Sequence, residues 1–229
     1  MSFAKKSTDK EDVKQGGSNY ILGSGIYPVT ILAPFVDTGD KGSEVVNFFV
    51  SHQGQEQTIY GNLRVTNNND AQGEPVVNQI GMRVFNQILV IADLDDVEDA
   101  EEAELPIGPG GKAKVVEVLQ DMCDIDIMMR VQLEYTNYNN KIKETKVVKG
   151  FYRMDDNATA EEIVNDSEVG KGFEADQKYV NNITYKDDLT EADITAWVAN
   201  GRKGGTGGNG ATKPSADPAF KKKKRFVKK

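Results

Sequence analysis

The 229-residue chain has one cysteine, Cys123, one histidine, His52, and one tryptophan, Trp197. A lone cysteine closes no disulfide within the chain and builds no thiolate zinc site, which points to a cytosolic setting. A lone histidine argues against Ser-His-Asp or Cys-His chemistry and against histidine-rich metal centres. Apolar runs are short, and none nears the roughly 20 residues of a membrane span. The opening stretch MSFAKKSTDKEDVKQGGSN lacks the apolar segment of a secretory signal.

Catalytic motifs are missing too. No Gly-rich stretch runs into GK[ST] between a strand and a helix, and LPIGPGGKAK at 105–114, with Pro109 and the wrong spacing, reads as a turn. There is no G-x-S-x-G nucleophile turn. The run Asp93–Glu104 carries eight carboxylates and no cation. Such hard oxygen ligands suit calcium or magnesium, but the glycine and spacing of a helix-loop-helix calcium site are absent, so a solvated loop or frayed helix end is expected. Asp124 and Asp126 share one strand face, and a strand starting beside a polar loop accounts for them. No catalytic residue, metal or cofactor is assigned, and no enzyme is expected.

What the chain does have is segregated charge. Residues 202–229 hold ten Lys/Arg and one acid, Asp217, a net +9; the whole chain is −8, so residues 1–201 carry −17. A glycine-rich linker joins this acidic body to a cationic segment flanked by Phe220 and Phe226. Such blocks act as interaction arms whose attraction to a polyanion is screened by salt.

Between the ends, period-two alternation dominates. Residues 26–35 read as a strand with Tyr27, Val29, Ile31, Ala33 and Phe35 on one face, and Pro28 and Pro34 mark an edge or the ends of pairing. Residues 44–52 form a second strand, with Phe49 in the core, and 58–66 a third. In the third, Ile59, Gly61, Leu63 and Val65 face inward, while Thr58, Tyr60, Asn62, Arg64 and Thr66 stay wet. Over 75–92 the period changes: Val77, Ile80, Val84, Ile88 and Ile91 recur at helical spacing, with Pro75 suited to the first turn. Residues 114–119 form a short strand. Residues 124–135 and 141–152 pair as a long hairpin around TNYNN, and 159–165 and 190–199 are short helices, Thr190 capping the second and Trp197 facing inward. The segment 166–187 shows no usable period.

The expected fold is mainly β with minor α. Its strand order fits a five- to six-stranded antiparallel barrel of the oligonucleotide-binding type, with an inserted helix and C-terminal short helices; a cystatin-like or other α+β arrangement reads similarly. The expected division is a flexible leader over 1–19, one domain over 20–200, and a disordered Gly- and Lys-rich tail over 201–229.

The hairpin also carries the candidate site. Single strands are held by cations that follow phosphates and by flat rings that stack on bases. Arg130, Lys143, Lys146, Lys149 and Arg153 are the candidate phosphate contacts, with Arg64 on an earlier wet face; Lys221, Lys222, Lys223, Lys224 and Arg225 of the tail add to them. Tyr60, Tyr135, Tyr138 and Tyr152 are the candidate stackers. The competing account places Phe151 in the core, leaves the tyrosines half-buried, and has the lysines guard an edge strand.

GIYPVTILAPFVDTGDKGSEVVNFFV, TIYGNLRVT and MMRVQLEYTNYNNKIKETKVVKGFY together resemble phage-encoded single-stranded-DNA-binding proteins over residues 20–155. That resemblance implies an oligonucleotide-binding barrel in the host cytoplasm. It implies coating of single-stranded DNA without strong sequence preference and recruitment of replication, recombination and repair proteins. Such proteins commonly end in an acidic tail; this chain ends in a basic one, which shifts the expectation toward direct contact between tail and DNA. The alternative is a phage structural or adaptor protein whose tail meets DNA or an acidic partner. No membrane partner is expected, and oligomerisation stays open.

Overall fold

A computed structural model describes residues 19–139 and 141–202; the expected leader up to Ser18, and the tail with Lys221–Arg225, lie outside the described residues. In chain order the elements are β1 (Gly25–Thr38), β2 (Glu44–His52), β3 (Gln55–Arg64), β4 (Thr66–Asn67), β5 (Val76–Val77), α1 (Gln79–Ile91), β6 (Glu101–Leu105), β7 (Lys114–Val118), β8 (Ile125–Tyr138), β9 (Lys141–Arg153), α2 (Ala160–Val164), α3 (Lys171–Gln177), β10 (Thr184–Tyr185) and α4 (Glu191–Ala199). The protein is mainly β. Eight strands form one sheet, antiparallel except where β10 runs parallel to β8, and β4 pairs with β5 apart from it. No helix among the described residues is long and apolar enough to cross a membrane.

β1 is the centre of this sheet. It pairs with β8 over 25–31, with β2 over 30–38 and with β7 at 35–36. The one-face expectation for its apolar residues fails at a register shift between Ile31 and Ala33. An extra residue flips the parity. Val29 and Ile31 therefore enter the main core, whereas Ala33 and Phe35 enter a second cluster with Phe49, Val116 and Val118. Of the two readings of the prolines, the ends-of-pairing one holds and the edge-strand one does not. Pro28 precedes the start of β2 pairing, and Pro34 falls after β8 pairing ends and before β7 pairing begins, so neither missing N–H breaks two ladders.

The sheet has more strands than the five or six expected. β6 takes up the end of the acidic run expected to be a solvated loop or frayed helix end. Ala103 and Leu105 alternate onto the second cluster while Glu102 and Glu104 point to solvent, so a strand forms despite the carboxylates. Helix α1 begins at Gln79, four residues after Pro75, because Asn78 caps it: its Oδ1 accepts from the backbone N–H of Ile80 (3.2 Å) and Gly81 (3.1 Å). Val77 precedes the helix, and Ile80 is 77% exposed, so neither joins the buried face of Gly81, Ile88 and Ile91.

α2 and α4 with its Thr190 capping box match expectation, and so does the β8–β9 hairpin, except that residues 136–138, expected in its turn, extend β8 and pair with 141–143. Its turn holds Asn139 at φ +52°, a conformation asparagine tolerates better than most residues. The main core joins Phe48, Phe151, Ile59, Ile88, Ile127 and Met129, with the two phenylalanine rings edge-to-face at 5.8 Å. Each such side chain contributes about 1.5–3 kcal/mol by leaving water. A third cluster seats α4, through Ile194 and Trp197, on Leu133 and Tyr135 of β8.

β3 and β9 lie against each other across this core. A Cβ on Gly61 would meet Val148 Cγ2 at 2.7 Å. No ladder joins the two strands among the described residues, so the sheet curls without closing into a hydrogen-bonded barrel.

Candidate nucleic-acid interface

A groove of about 580 Å³ opens between the outer face of β1–β3 and the β8–β9 hairpin. Asp37, Val45, Asn47, Thr58 and Tyr60 line one side; Glu134, Thr136, Lys143, Glu144, Thr145 and Lys146 line the other. Alternation explains the first wall: Val46, Phe48 and Ile59 go to the core, leaving Val45, Asn47, Thr58 and Tyr60 on the opposite face. Tyr60 is half-buried, held edge-to-face on Phe35 with 6.3 Å between ring centroids.

The groove carboxylates are already engaged. Asn47 donates to Asp37 at 2.8 Å, and Lys114 Nζ reaches the same carboxylate at 3.5 Å. Glu134 pairs with Lys186 at 2.7 Å. Glu144 accepts from the Tyr135 hydroxyl at 3.0 Å and pairs with Arg202 at 3.3 Å. Lys143 and Lys146, by contrast, make no ion pair with any described residue. Burial holds the Lys146 ammonium below the ordinary lysine range, with Arg202 acting in the same direction and Glu144 opposing it. An unpaired, partly desolvated cation is a ready partner for an anion.

Of the sequence candidates, Tyr60, Lys143 and Lys146 line the groove. Arg64 is exposed on β3 opposite Val45, a groove residue. Tyr138 is 72% exposed at the hairpin tip, beside Lys143 in a shallow hollow of about 190 Å³.

Four others are occupied elsewhere, and two of the four expected stackers are not open rings. Tyr135 is 5% exposed, stacked on Tyr185 at 6.0 Å and edge-on to Trp197 at 6.2 Å. Tyr152 is 1% exposed, packed edge-to-face on Phe173 at 5.2 Å, and its hydroxyl donates to Asp176 at 2.5 Å. Burial pushes both phenols well above their ordinary range, and the adjacent Glu144 and Asp176 add to it. The Arg130 side chain is 16% exposed and paired with Asp176. Arg153 forks onto Asp156, Nε to Oδ1 at 2.9 Å and Nη2 to Oδ2 at 2.6 Å, which draws that carboxyl down to about 2. Lys149 is exposed in the register break opposite Arg130 and Val131 and does not line the groove.

Sequence reasoning missed Asn47, Thr136, Thr145 and Glu144 as groove residues. One signal was available: Asn47 interrupts the apolar run Val-Val-Asn-Phe-Phe, and a buried amide in such a strand marks a polar site behind it.

No protein-family model matches this chain, and no curated protein matches it.

Proposed function

We propose that the chain binds single-stranded nucleic acid in this groove, without strong sequence preference and without catalysing a reaction. The observation that carries the proposal is the pairing of a ring, Tyr60, with two uncommitted lysines, Lys143 and Lys146, in a groove whose carboxylates already have partners. The location supports it as well. In oligonucleotide-binding barrels the ligand lies on the face of strands two and three, under the hairpin joining strands four and five. Here β1, β2 and β3 are the first three strands, β8 and β9 serve as the fourth and fifth, and the groove has that relation to them. On this view the fold is an open oligonucleotide-binding barrel that leaves the β3–β9 seam without a ladder.

Tyr60 and Tyr138 stack on bases, each contributing about 1–3 kcal/mol. Lys143 and Lys146 meet phosphates, with Arg64 beside them and Lys221–Arg225 of the tail adding salt-sensitive attraction. The sequence resemblance supports single-stranded DNA as the ligand, in phage replication or recombination. A gel-shift comparison of single-stranded DNA, duplex DNA and RNA tests the proposal. Expected is a single-strand preference that weakens steeply with salt. Equal binding to duplex, or none to any single strand, overturns it.

A further inference from the structure

We infer that Arg202 is a positioning residue for this groove: by holding Glu144, it leaves Lys146 free to meet a phosphate. The inference rests on the binding role proposed for the groove.

Glu144 and Lys146 are alternate residues of β9 and project from the same face of the strand, and both line the groove. An ammonium and a carboxylate so placed are able to pair when neither has another partner. Here the carboxylate is claimed. The Tyr135 hydroxyl and the Arg202 guanidinium both converge on Glu144 Oε2, at 3.0 and 3.3 Å. Lys146, its neighbour on the strand face, makes no ion pair with a described residue.

Arg202 is itself fixed from two sides. Its backbone N–H donates to the Trp197 carbonyl at 2.9 Å, closing the end of α4. Its guanidinium carbon sits 5.6 Å from the centroid of the Trp197 ring, within cation–π range. Trp197 is buried against Leu133 and Tyr135 on the hairpin that walls the groove. One short helix thus braces the hairpin and delivers the cation that occupies Glu144. Without it, the nearest cation for Glu144 on its own strand face is Lys146.

The test uses full-length protein and a dT oligonucleotide. Arg202→Ala lowers affinity about fivefold, the scale of one partly shielded ion pair. Adding Glu144→Gln restores it, because the amide oxygen still accepts from Tyr135 but carries no charge to form an ion pair with Lys146. In a Lys146→Ala background, Arg202→Ala changes little. A role confined to packing on Trp197 would not be rescued by Glu144→Gln, so a double variant as weak as Arg202→Ala overturns the inference. A ligand-free readout separates this from failure of the binding proposal. By heteronuclear NMR, Glu144→Gln lowers the Lys146 titration midpoint more in the Arg202→Ala background than in the wild type. Equal shifts in the two backgrounds refute the positioning role, whether or not the wild type binds DNA.

Discussion

Gly61 of β3 packs directly against Val148 of β9: a methyl group on the glycine would lie 2.7 Å from Val148 Cγ2 and 3.4 Å from Phe48. The contact lies on the seam of the curled sheet, where no ladder joins the two strands among the described residues. Gly61→Ala should therefore cost about 1–3 kcal/mol, as overpacking in a close-packed interior does. Chemical denaturation followed by circular dichroism measures it. Adding Val148→Ala removes the opposing methyls, so the double variant should lose less than the sum of the two singles. At Gly81 the obstacle is backbone: a Cβ there would fall 1.6 Å from the Arg64 carbonyl oxygen. Gly81→Ala should cost more than Gly61→Ala, since α1 must shift off β3.

Two groups of cations should separate cleanly. Lys143→Ala and Lys146→Ala remove uncommitted groove charges, so each should weaken binding to a dT oligonucleotide and flatten its salt dependence, with little change in melting temperature. Arg130→Ala should do the reverse. It strands Asp176, which also receives the Tyr152 hydroxyl, and should cost about 1–3 kcal/mol of stability with affinity nearly unchanged. Salt titrations of binding, run beside thermal melts, check both. Loss of affinity in Arg130→Ala without loss of stability would contradict the assignment of that arginine to the fold.

The long hairpin was legible because every odd-numbered residue of 125–135 is apolar or aromatic and TNYNN follows; residues 136–138, read as turn, instead extend β8 and pair with 141–143. What alternation cannot report is that both faces of such a hairpin are covered. Tyr135 reads as a ring at a strand end; it is buried because α4 lies over it, and α4 comes from more than 50 residues further along the chain. Tyr152 and Arg130 are taken out of solvent by α3, through Phe173 and Asp176. The segment holding α3 and β10 has no period of its own, because its order comes from tertiary partners: the two β10 residues pair with Glu134 and Tyr135. The single extra residue at Leu32, which sends Ala33 and Phe35 to the second cluster, leaves no trace in composition. Tyr60, Lys143 and Lys146 were found because residue type and strand face sufficed. The Glu144 carboxylate that engages both Tyr135 and Arg202 required the folded chain.

Glu162 offers a pH-dependent test remote from the groove. It is buried, and its two oxygens accept from the backbone N–H of Thr159 (2.8 Å), Gly170 (3.2 Å) and Gly172 (2.7 Å). Burial alone would raise this carboxyl, but the converging N–H groups outweigh it and hold it below the ordinary glutamate range. A carboxyl lowered on folding adds stability above its unfolded value, and that stability fades as pH falls through the lower, folded value. The wild type should accordingly lose stability below about pH 4.5. Glu162→Gln should cost about 1–3 kcal/mol at neutral pH, because an amide offers those N–H groups a single acceptor oxygen. It should also reduce the acid-side slope, measured by denaturation at pH 7 and pH 4.

Two truncations distinguish the tail from its anchor. Ending the chain after Arg202 removes nine of the ten cations of residues 202–229 but keeps the contacts to Glu144 and Trp197. Phosphate contacts made by those cations release counterions, so this variant should show a shallower salt dependence for single strands while the groove keeps its own contribution at high salt. Ending the chain after Asn200 removes Arg202 as well. If Arg202 acts only as one more basic residue, the second truncation should differ from the first by a small further flattening of the same slope. If it frees Lys146, the loss should exceed that step and persist at high salt, and Glu144→Gln should recover it in the shorter chain. Binding isotherms for the two truncations at several salt concentrations decide between these outcomes.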